Sequence, residues 1–107
     1  MDVRIDLTDR HSKHPDSVRD YARDKVGKLT QYFDGVNHIE IILDEEHEQH
    51  VVEVIVSANK HLHLVGHASS ANAMAAIDKC IDRLERQVVK AKERLRDHHR
   101  GEGARRS

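Results

Sequence analysis

The sequence is poor in the residues that usually mark specialised chemistry. Its 107 residues include one cysteine, one proline, no tryptophan, two tyrosines and one phenylalanine. The single Cys80 cannot form an internal disulfide, which favours a reduced, cytoplasmic protein with this residue packed in its core. No apolar run reaches the length of a membrane span. Three aromatic residues are too few to form a platform for stacking single-stranded bases. Nucleic-acid binding would therefore depend on shape and charge.

Signatures of catalysis are also missing. The sequence has no glycine-rich phosphate loop, no cysteine pair, and no serine or cysteine in a nucleophile motif. Carboxylates cluster in "DEEHE" at residues 44–48, but this stretch is a predicted hairpin turn, where a solvated acidic cluster is expected. The sequence therefore predicts a protein that is not an enzyme, needs no cofactor and takes no small-molecule substrate.

Charge is abundant and almost balanced, with 18 Lys and Arg against 19 Asp and Glu, for a net charge of -1. The two signs are unevenly distributed along the chain. Residues 1–70 contain 8 basic and 13 acidic residues, whereas residues 71–107 contain 10 basic and 6 acidic residues. A nearly neutral protein with one basic end can still bind a polyanion, because the local field acts on the partner.

Alternation and helical spacing predict the first elements. Residues 2–7 alternate apolar and charged side chains, which indicates a half-buried strand. Pro15 begins a helix whose apolar stripe runs from Val18 to Phe33, and Gly35 is its expected C-cap. Three strand-like runs follow, at residues 38–44, 51–58 and 61–68. The predicted turns between them are "DEEHEQH" and "NK".

A second helix begins at Ser70 or Asn72, either of which is a suitable N-cap, and continues to about His99. The predicted fold is α+β, in the order β-α-β-β-β-α, with a four-stranded mixed sheet and both helices packed on one face. Residues 1–100 form a single domain in this prediction, and residues 101–107 a disordered polar tail.

Five cations of the last helix fall on one stripe at about 100° per residue: Lys79, Arg83, Arg86, Lys90 and Arg94. We call these five residues the basic ridge. Asp78, Asp82 and Glu85 lie on one flank, between the ridge and the apolar face, whereas local ion pairing would intersperse the signs. Lys25 and Lys28 of the first helix would flank the same groove if the helices pack side by side. Cations at repeated spacing suit the phosphates of an RNA strand.

Three other interpretations remain open. The charged helix is a solvated surface laced with salt bridges, or its ridge binds an acidic protein surface in a protein-interaction module. Metal binding is the third, since His61, His63 and His67 share one face of a predicted strand. Without a fourth ligand in view, we predict that these histidines line an exposed polar sheet face and bind no metal.

The stretch "AIDKCIDRLERQVVKAKER", residues 76–94, resembles the terminal-helix signature of the ribosome hibernation promoting factor family, also called ribosome-associated inhibitor A. Some members have the older name of sigma-factor modulation proteins. "HPDSVRDYARDKVGKL", residues 14–29, is similar to the family's first helix, although His14 stands where threonine is usual. The resemblance covers about residues 1–100 and matches the short form, without the extra C-terminal domain that pairs ribosomes.

The resemblance implies a stationary-phase or stress-response translation inhibitor that occupies the mRNA and tRNA channel of the small ribosomal subunit. By the same resemblance, Lys25, Lys28, Arg83, Arg86 and Lys90 match positions that contact rRNA. Lys79 and Arg94 join them through the geometry of the ridge. The expected partner is therefore rRNA of the small subunit, and the protein is expected to be cytoplasmic and monomeric off the ribosome.

Overall fold

The computed structural model describes residues 3–10, 14–31, 35–58 and 62–104, with side chains as far as residue 90. It contains six elements in the predicted order: β1 (Arg4–Asp9), α1 (Asp16–Leu29), β2 (Val36–Glu46), β3 (Gln49–Ala58), β4 (Leu62–Ser70) and α2 (Ala73–Ala104). The strands form one sheet in the order β1-β2-β3-β4, in which β1 runs parallel to β2 and the other pairs are antiparallel. The predicted mixed sheet is confirmed.

The core lies between one face of the sheet and the two helices. Along β3, Val52, Val54 and Val56 are buried, while the alternate residues are partly exposed. The helices cover the buried face with apolar stripes at helical spacing: Val18, Ala22, Val26 and Leu29 from α1, and Ala76, Ile77, Cys80, Ile81, Leu84 and Val88 from α2. Within the described segments, neither helix is both long and apolar enough to cross a bilayer.

The helix ends only partly follow the sequence prediction. Asn72 caps α2 as expected, because its Oδ1 accepts a hydrogen bond from the Ala75 backbone N–H at 3.0 Å. The prediction of Gly35 as the C-cap of α1 is wrong. Thr30 caps that helix, and its hydroxyl donates to the Gly27 carbonyl at 2.8 Å. Phe33, the predicted end of the apolar stripe, lies outside the described residues.

The second helix extends further than its sequence suggests. It ends at Ala104 instead of near His99, so it includes the first four residues of the segment assigned to a disordered tail. Gly101 and Gly103 weaken a helix by about 1 kcal/mol each and do not forbid it. The other three residues of the tail lie outside the described segments.

The acidic hairpin closes through a strained turn. The β2 and β3 strands remain in register up to the pair Glu46 and Gln49, which leaves His47 and Glu48 as the turn. Both turn residues have positive φ, 50° and 65°, as a type I′ turn requires. The predicted turn in "DEEHEQH" is confirmed, and the predicted turn at "NK" lies outside the described residues.

A buried polar cluster joins β1, α1 and β3. Asp9 faces the helices from the end of β1 and accepts the backbone N–H of His14 at 2.6 Å, while His14 Nδ1 lies 2.9 Å from its other oxygen. Arg19 lies 3.5 Å from the same carboxylate, and His14 Nε2 is 3.0 Å from His50 Nδ1. Burial opposes ionisation of Asp9, but the His14 hydrogen bonds and the Arg19 charge outweigh it, so its pKa lies below the ordinary 3.8.

Asp9→Asn tests this cluster. The variant should lose about 2 kcal/mol of unfolding free energy at pH 7, because the amide cannot replace both acceptor oxygens. A carboxyl with a lowered folded pKa stabilises above its unfolded pKa, and the benefit disappears as pH falls through the folded value. Urea unfolding should therefore show the difference from wild type shrinking below about pH 4. Asp16→Asn, at an exposed carboxylate, is the control; a pH-independent difference for Asp9→Asn would contradict the assignment.

The contact between α2 and β4 is unusually close at Gly66. A Cβ atom at this residue would lie 2.6 Å from Leu84 Cγ and 3.0 Å from the Cys80 carbonyl oxygen. The absent side chain lets the helix lie directly on the strand, and this fixes the rotation of α2 about its own axis.

Two Gly→Ala substitutions should have opposite effects on stability. Gly66→Ala should lower the unfolding free energy by about 2 kcal/mol, because backbone and a buried leucine must move. Gly27→Ala, on α1 with no atom within 4 Å of the added Cβ, should raise it by about 1 kcal/mol through helix propensity. Thermal and urea unfolding of both variants measure the two changes. Equal changes in unfolding free energy for the two variants would show that the close approach of α2 to β4 at Gly66 is unimportant for stability.

Candidate nucleic-acid interface

The seating of α2 gives each side of that helix a different neighbour. Its apolar side faces the sheet, and Asp78 on one flank contacts α1 through the Tyr21 hydroxyl, which donates to it at 2.7 Å. On the other flank, Arg83 and Gln87 reach β4. The basic ridge therefore lies between the solvent side of α2 and the outer edge of the sheet, while the acidic flank is turned toward α1.

Two cations of the ridge are exposed and uncommitted. Lys79 and Lys90 are both exposed, and neither forms an ion pair with any residue that the structure describes. Lys90 follows Lys79 by eleven positions, a distance of about 16 Å along a helix rising about 1.5 Å per residue. Two ammonium groups at this separation can approach different phosphates of one nucleic-acid strand.

Arg83 has a structural contact within the fold. Its guanidinium donates to the His67 carbonyl, and one turn further along, Gln87 Nε2 donates to the Val65 carbonyl at 2.8 Å. Because β4 is an edge strand, these carbonyls have no partner strand. The two side chains donate hydrogen bonds to two carbonyls of this edge. Arg83 therefore has a contact within the fold, although its side chain is also exposed to solvent.

Arg86 is paired, but weakly. Its guanidinium lies 2.9 Å from the Asp82 carboxylate one turn back, and the side chains are 75% and 55% exposed. Exposed i, i+4 pairs contribute only about 0.5 kcal/mol. A phosphate can therefore replace Asp82 at small cost. Arg94 follows on the same helix, and its side chain lies outside those described.

Lys25 of α1 is held at the acidic flank of α2. Lys25 Nζ lies 3.5 Å from Asp78 and 5.6 Å from the centre of the Tyr21 ring, and the Asp78 charge raises the pKa of this lysine above 10.5. Asp78 thus stands between Lys25 and the ridge. Lys28, one turn further along α1, is exposed and has no ion pair among the described residues.

The other reactive groups favour no catalytic or metal site. Burial raises the pKa of the Cys80 thiol to about 12, which makes it an inert packing residue. His63 and His67 are exposed on the open face of the sheet, as predicted, and His63 Nδ1 lies 3.2 Å from the Ser57 hydroxyl. His61 lies outside the described segments. Within them, no three His, Cys, Asp or Glu side chains are grouped to hold a metal ion.

Comparison with known proteins identifies the family. Residues 5–96 match the family model described as Sigma 54 modulation protein / S30EA ribosomal protein. The chain belongs to this S30EA family. The family assignment confirms the predicted resemblance and the expectation of a non-enzymatic protein.

Named relatives of the S30EA family cover almost the whole chain. The ribosome hibernation promoting factor of Escherichia coli K12 is 30% identical over 97 residues, which are 90% of this chain and all of that protein. The factor of the same name from Klebsiella oxytoca is 34% identical over 101 residues, again 90% of this chain and all of that protein.

Solved structures share the fold. The N-terminal domain of Thermus thermophilus Protein Y aligns with a TM-score of 0.69 and 28% identity, over 82% of this chain and 96% of that one. A ribosomal subunit interface protein from Coxiella burnetii aligns with a TM-score of 0.75 at 19% identity, over 85% of this chain and 99% of that one. The second match supports the fold alone.

The sequence pattern missed three contacts that shape the interface. The edge contacts of Arg83 and Gln87 and the inward role of Asp78 depend on how α2 is rotated against its neighbours. Their spacing offered a partial signal, because residues 83 and 87 lie one turn apart beside the apolar face. Nothing in the sequence of this S30EA chain showed which flank faces β4 and which faces α1.

Arg83→Ala and Arg86→Ala should differ in stability although they remove the same charge. Arg83→Ala should lower the unfolding free energy by about 1 kcal/mol, because an edge carbonyl loses its charged donor. Arg86→Ala should change it by less than about 0.5 kcal/mol, since the Asp82 pair is exposed. Urea unfolding at neutral pH measures both, and a larger loss for Arg86→Ala would refute the assignment.

Proposed function

We propose that this protein is a cytoplasmic, ribosome-binding hibernation factor that occupies the mRNA and tRNA channel of the small ribosomal subunit. Its basic ridge contacts rRNA phosphates, and the residues that carry the contact are Lys79, Arg83, Arg86, Lys90 and Arg94, with Lys25 and Lys28 on α1. The observation that carries the proposal is the exposure of Lys79 and Lys90 on one helix with no internal ion pair among the described residues.

The relatives support the ribosomal context. The curated proteins that match nearly end to end have the name ribosome hibernation promoting factor. The alignment covers the full length of both curated factors.

The mechanism is occupancy. Lysine and arginine side chains on a rigid helix replace the counterions around rRNA phosphates, and the released ions supply much of the binding free energy. Arg86 exchanges Asp82 for a phosphate, whereas Arg83 is held against β4 and presents its remaining N–H groups from a fixed position. A domain bound in this way excludes mRNA and tRNA by its volume, and no bond is made or broken.

The proposed contributions of the seven residues are unequal. Lys79 and Lys90 pay no cost of breaking an ion pair with the described part of the chain, so they contribute most. Lys28 contributes in the same way from α1. Lys25 must weaken its contact with Asp78 before it can approach a phosphate, so its contribution is smaller.

Lys79→Glu combined with Lys90→Glu should strongly weaken binding to small subunits. Affinity in co-sedimentation should fall by more than about tenfold, and the salt dependence of the residual binding should become shallower, because each lost phosphate contact removes roughly one counterion. The variant should also stop inhibiting translation in a cell extract. Both lysines are exposed, so circular dichroism should show an unchanged fold.

The matched control is Arg4→Glu with Arg10→Glu, which changes net charge equally at two exposed cations of the β1 segment. This control should bind ribosomes within about twofold of wild type. Equal loss in both double variants would indicate non-specific attraction. If the lysine variant binds ribosomes as well as wild type does, the proposed role of the basic ridge is refuted. If this variant loses binding to an acidic protein while ribosome binding stays intact, the protein-interaction alternative is favoured.

A further inference from the structure

The face of the sheet away from the helices has a regular arrangement of side chains. We call it the open sheet face. In the register of β2 and β3, Glu40 stands opposite Ile55, and Ile42 stands opposite Glu53. Two carboxylates and two aliphatic side chains thus alternate at the corners of a small square. All four are partly exposed, and the next strand adds Val65, 46% exposed, beside Ile55.

The acids at the centre of this face are not neutralised within it. Asp6, on β1, is already bound by His38 at 2.8 Å and Arg4 at 3.2 Å, which lower its pKa below 3.8. Glu40 and Glu53 have no ion pair with any residue in the described segments. The centre of the open sheet face therefore has two carboxylates without an ion pair among the described residues, with His67 opposite Glu53 in the register of β3 and β4. The exposed lysines of the ridge lie on the helix that covers the other face.

The spacing of the two glutamates matches an extended polypeptide. Side chains on diagonal positions of neighbouring strands lie about 7–8 Å apart. In an extended chain, residues i and i+2 point the same way and are about 6.6–7 Å apart. Two lysines or arginines at alternate positions of such a chain can therefore reach Glu40 and Glu53 together, while their methylene stems lie over Ile42 and Ile55.

We propose that the open sheet face is a docking surface for a lysine- or arginine-rich extended polypeptide segment. Glu40 and Glu53 bind alternate cationic heads, and Ile42, Ile55 and Val65 contact the aliphatic stems. The inference is independent of the proposed RNA interface, which uses the opposite side of the molecule. RNA is unsuited to this face, because two unpaired carboxylates would repel its phosphates.

A peptide titration tests the docking surface directly. The probe is a fluorescent decapeptide that alternates lysine and serine, measured by anisotropy and by amide chemical shifts of the labelled protein. Glu40→Gln with Glu53→Gln should weaken binding about tenfold, because both charged contacts are lost while shape is kept. A peptide with 2,4-diaminobutyric acid in place of lysine keeps most of the charge but shortens the stems, and it should also bind more weakly.

The matched control is Asp20→Asn with Asp24→Asn, which removes two negative charges from exposed positions of α1. It should bind the peptide within twofold of wild type, and the shifts should centre on β2, β3 and β4. Equal weakening in both variants, or shifts centred on the acidic hairpin at residues 44–48, would overturn the proposal. Shifts of the same sheet residues on adding single-stranded oligouridylate would overturn it in favour of RNA. Intact ribosome binding by Glu40→Gln with Glu53→Gln would show that the two surfaces act separately.

Discussion

The close contact of α2 with β4 at Gly66 is the constraint on which the other features of the molecule depend. Because no side chain stands between strand and helix, Leu84 and the backbone at Cys80 lie directly over residue 66. This contact fixes the rotation of α2. One flank then meets α1 through Asp78, the other meets the edge of β4 through Arg83 and Gln87, and the remaining surface presents lysines to solvent.

The same seating separates the charges of an almost neutral protein. Net charge is -1, yet the exposed lysines of α2 lie on the helical side. Glu40 and Glu53, which form no ion pair with a described residue, lie on the opposite face of the sheet. Two surfaces of opposite sign on one small domain suit two different partners, because local fields act over about 8–10 Å at physiological salt. In the two proposals, phosphates bind the helical side and cationic polypeptide segments bind the sheet side.

Side chains that form polar contacts inside the fold are less available to bind a partner. The five ridge cations looked equivalent as a helical stripe, but Arg83 satisfies an edge carbonyl, Arg86 has an exposed acidic neighbour, and Lys79 and Lys90 are uncommitted within the described residues. On α1, Lys25 is likewise bound by Asp78. Helical periodicity predicts which residues share a side, since it depends only on backbone geometry. It does not predict contacts with another element, which depend on packing.

The sequence by itself determined the order of elements and the buried stripes and narrowed the N-cap of α2 to Ser70 or Asn72, because alternation, helical spacing and capping are local properties of the chain. Tertiary structure decided the true C-cap at Thr30 and the buried cluster of Asp9, His14 and His50. It also decided which ridge cations have an internal partner among the described residues. These features join residues as far apart as His14 and His50, or Tyr21 and Asp78. Such pairs meet only when the helices settle on the sheet, so no local pattern specifies them.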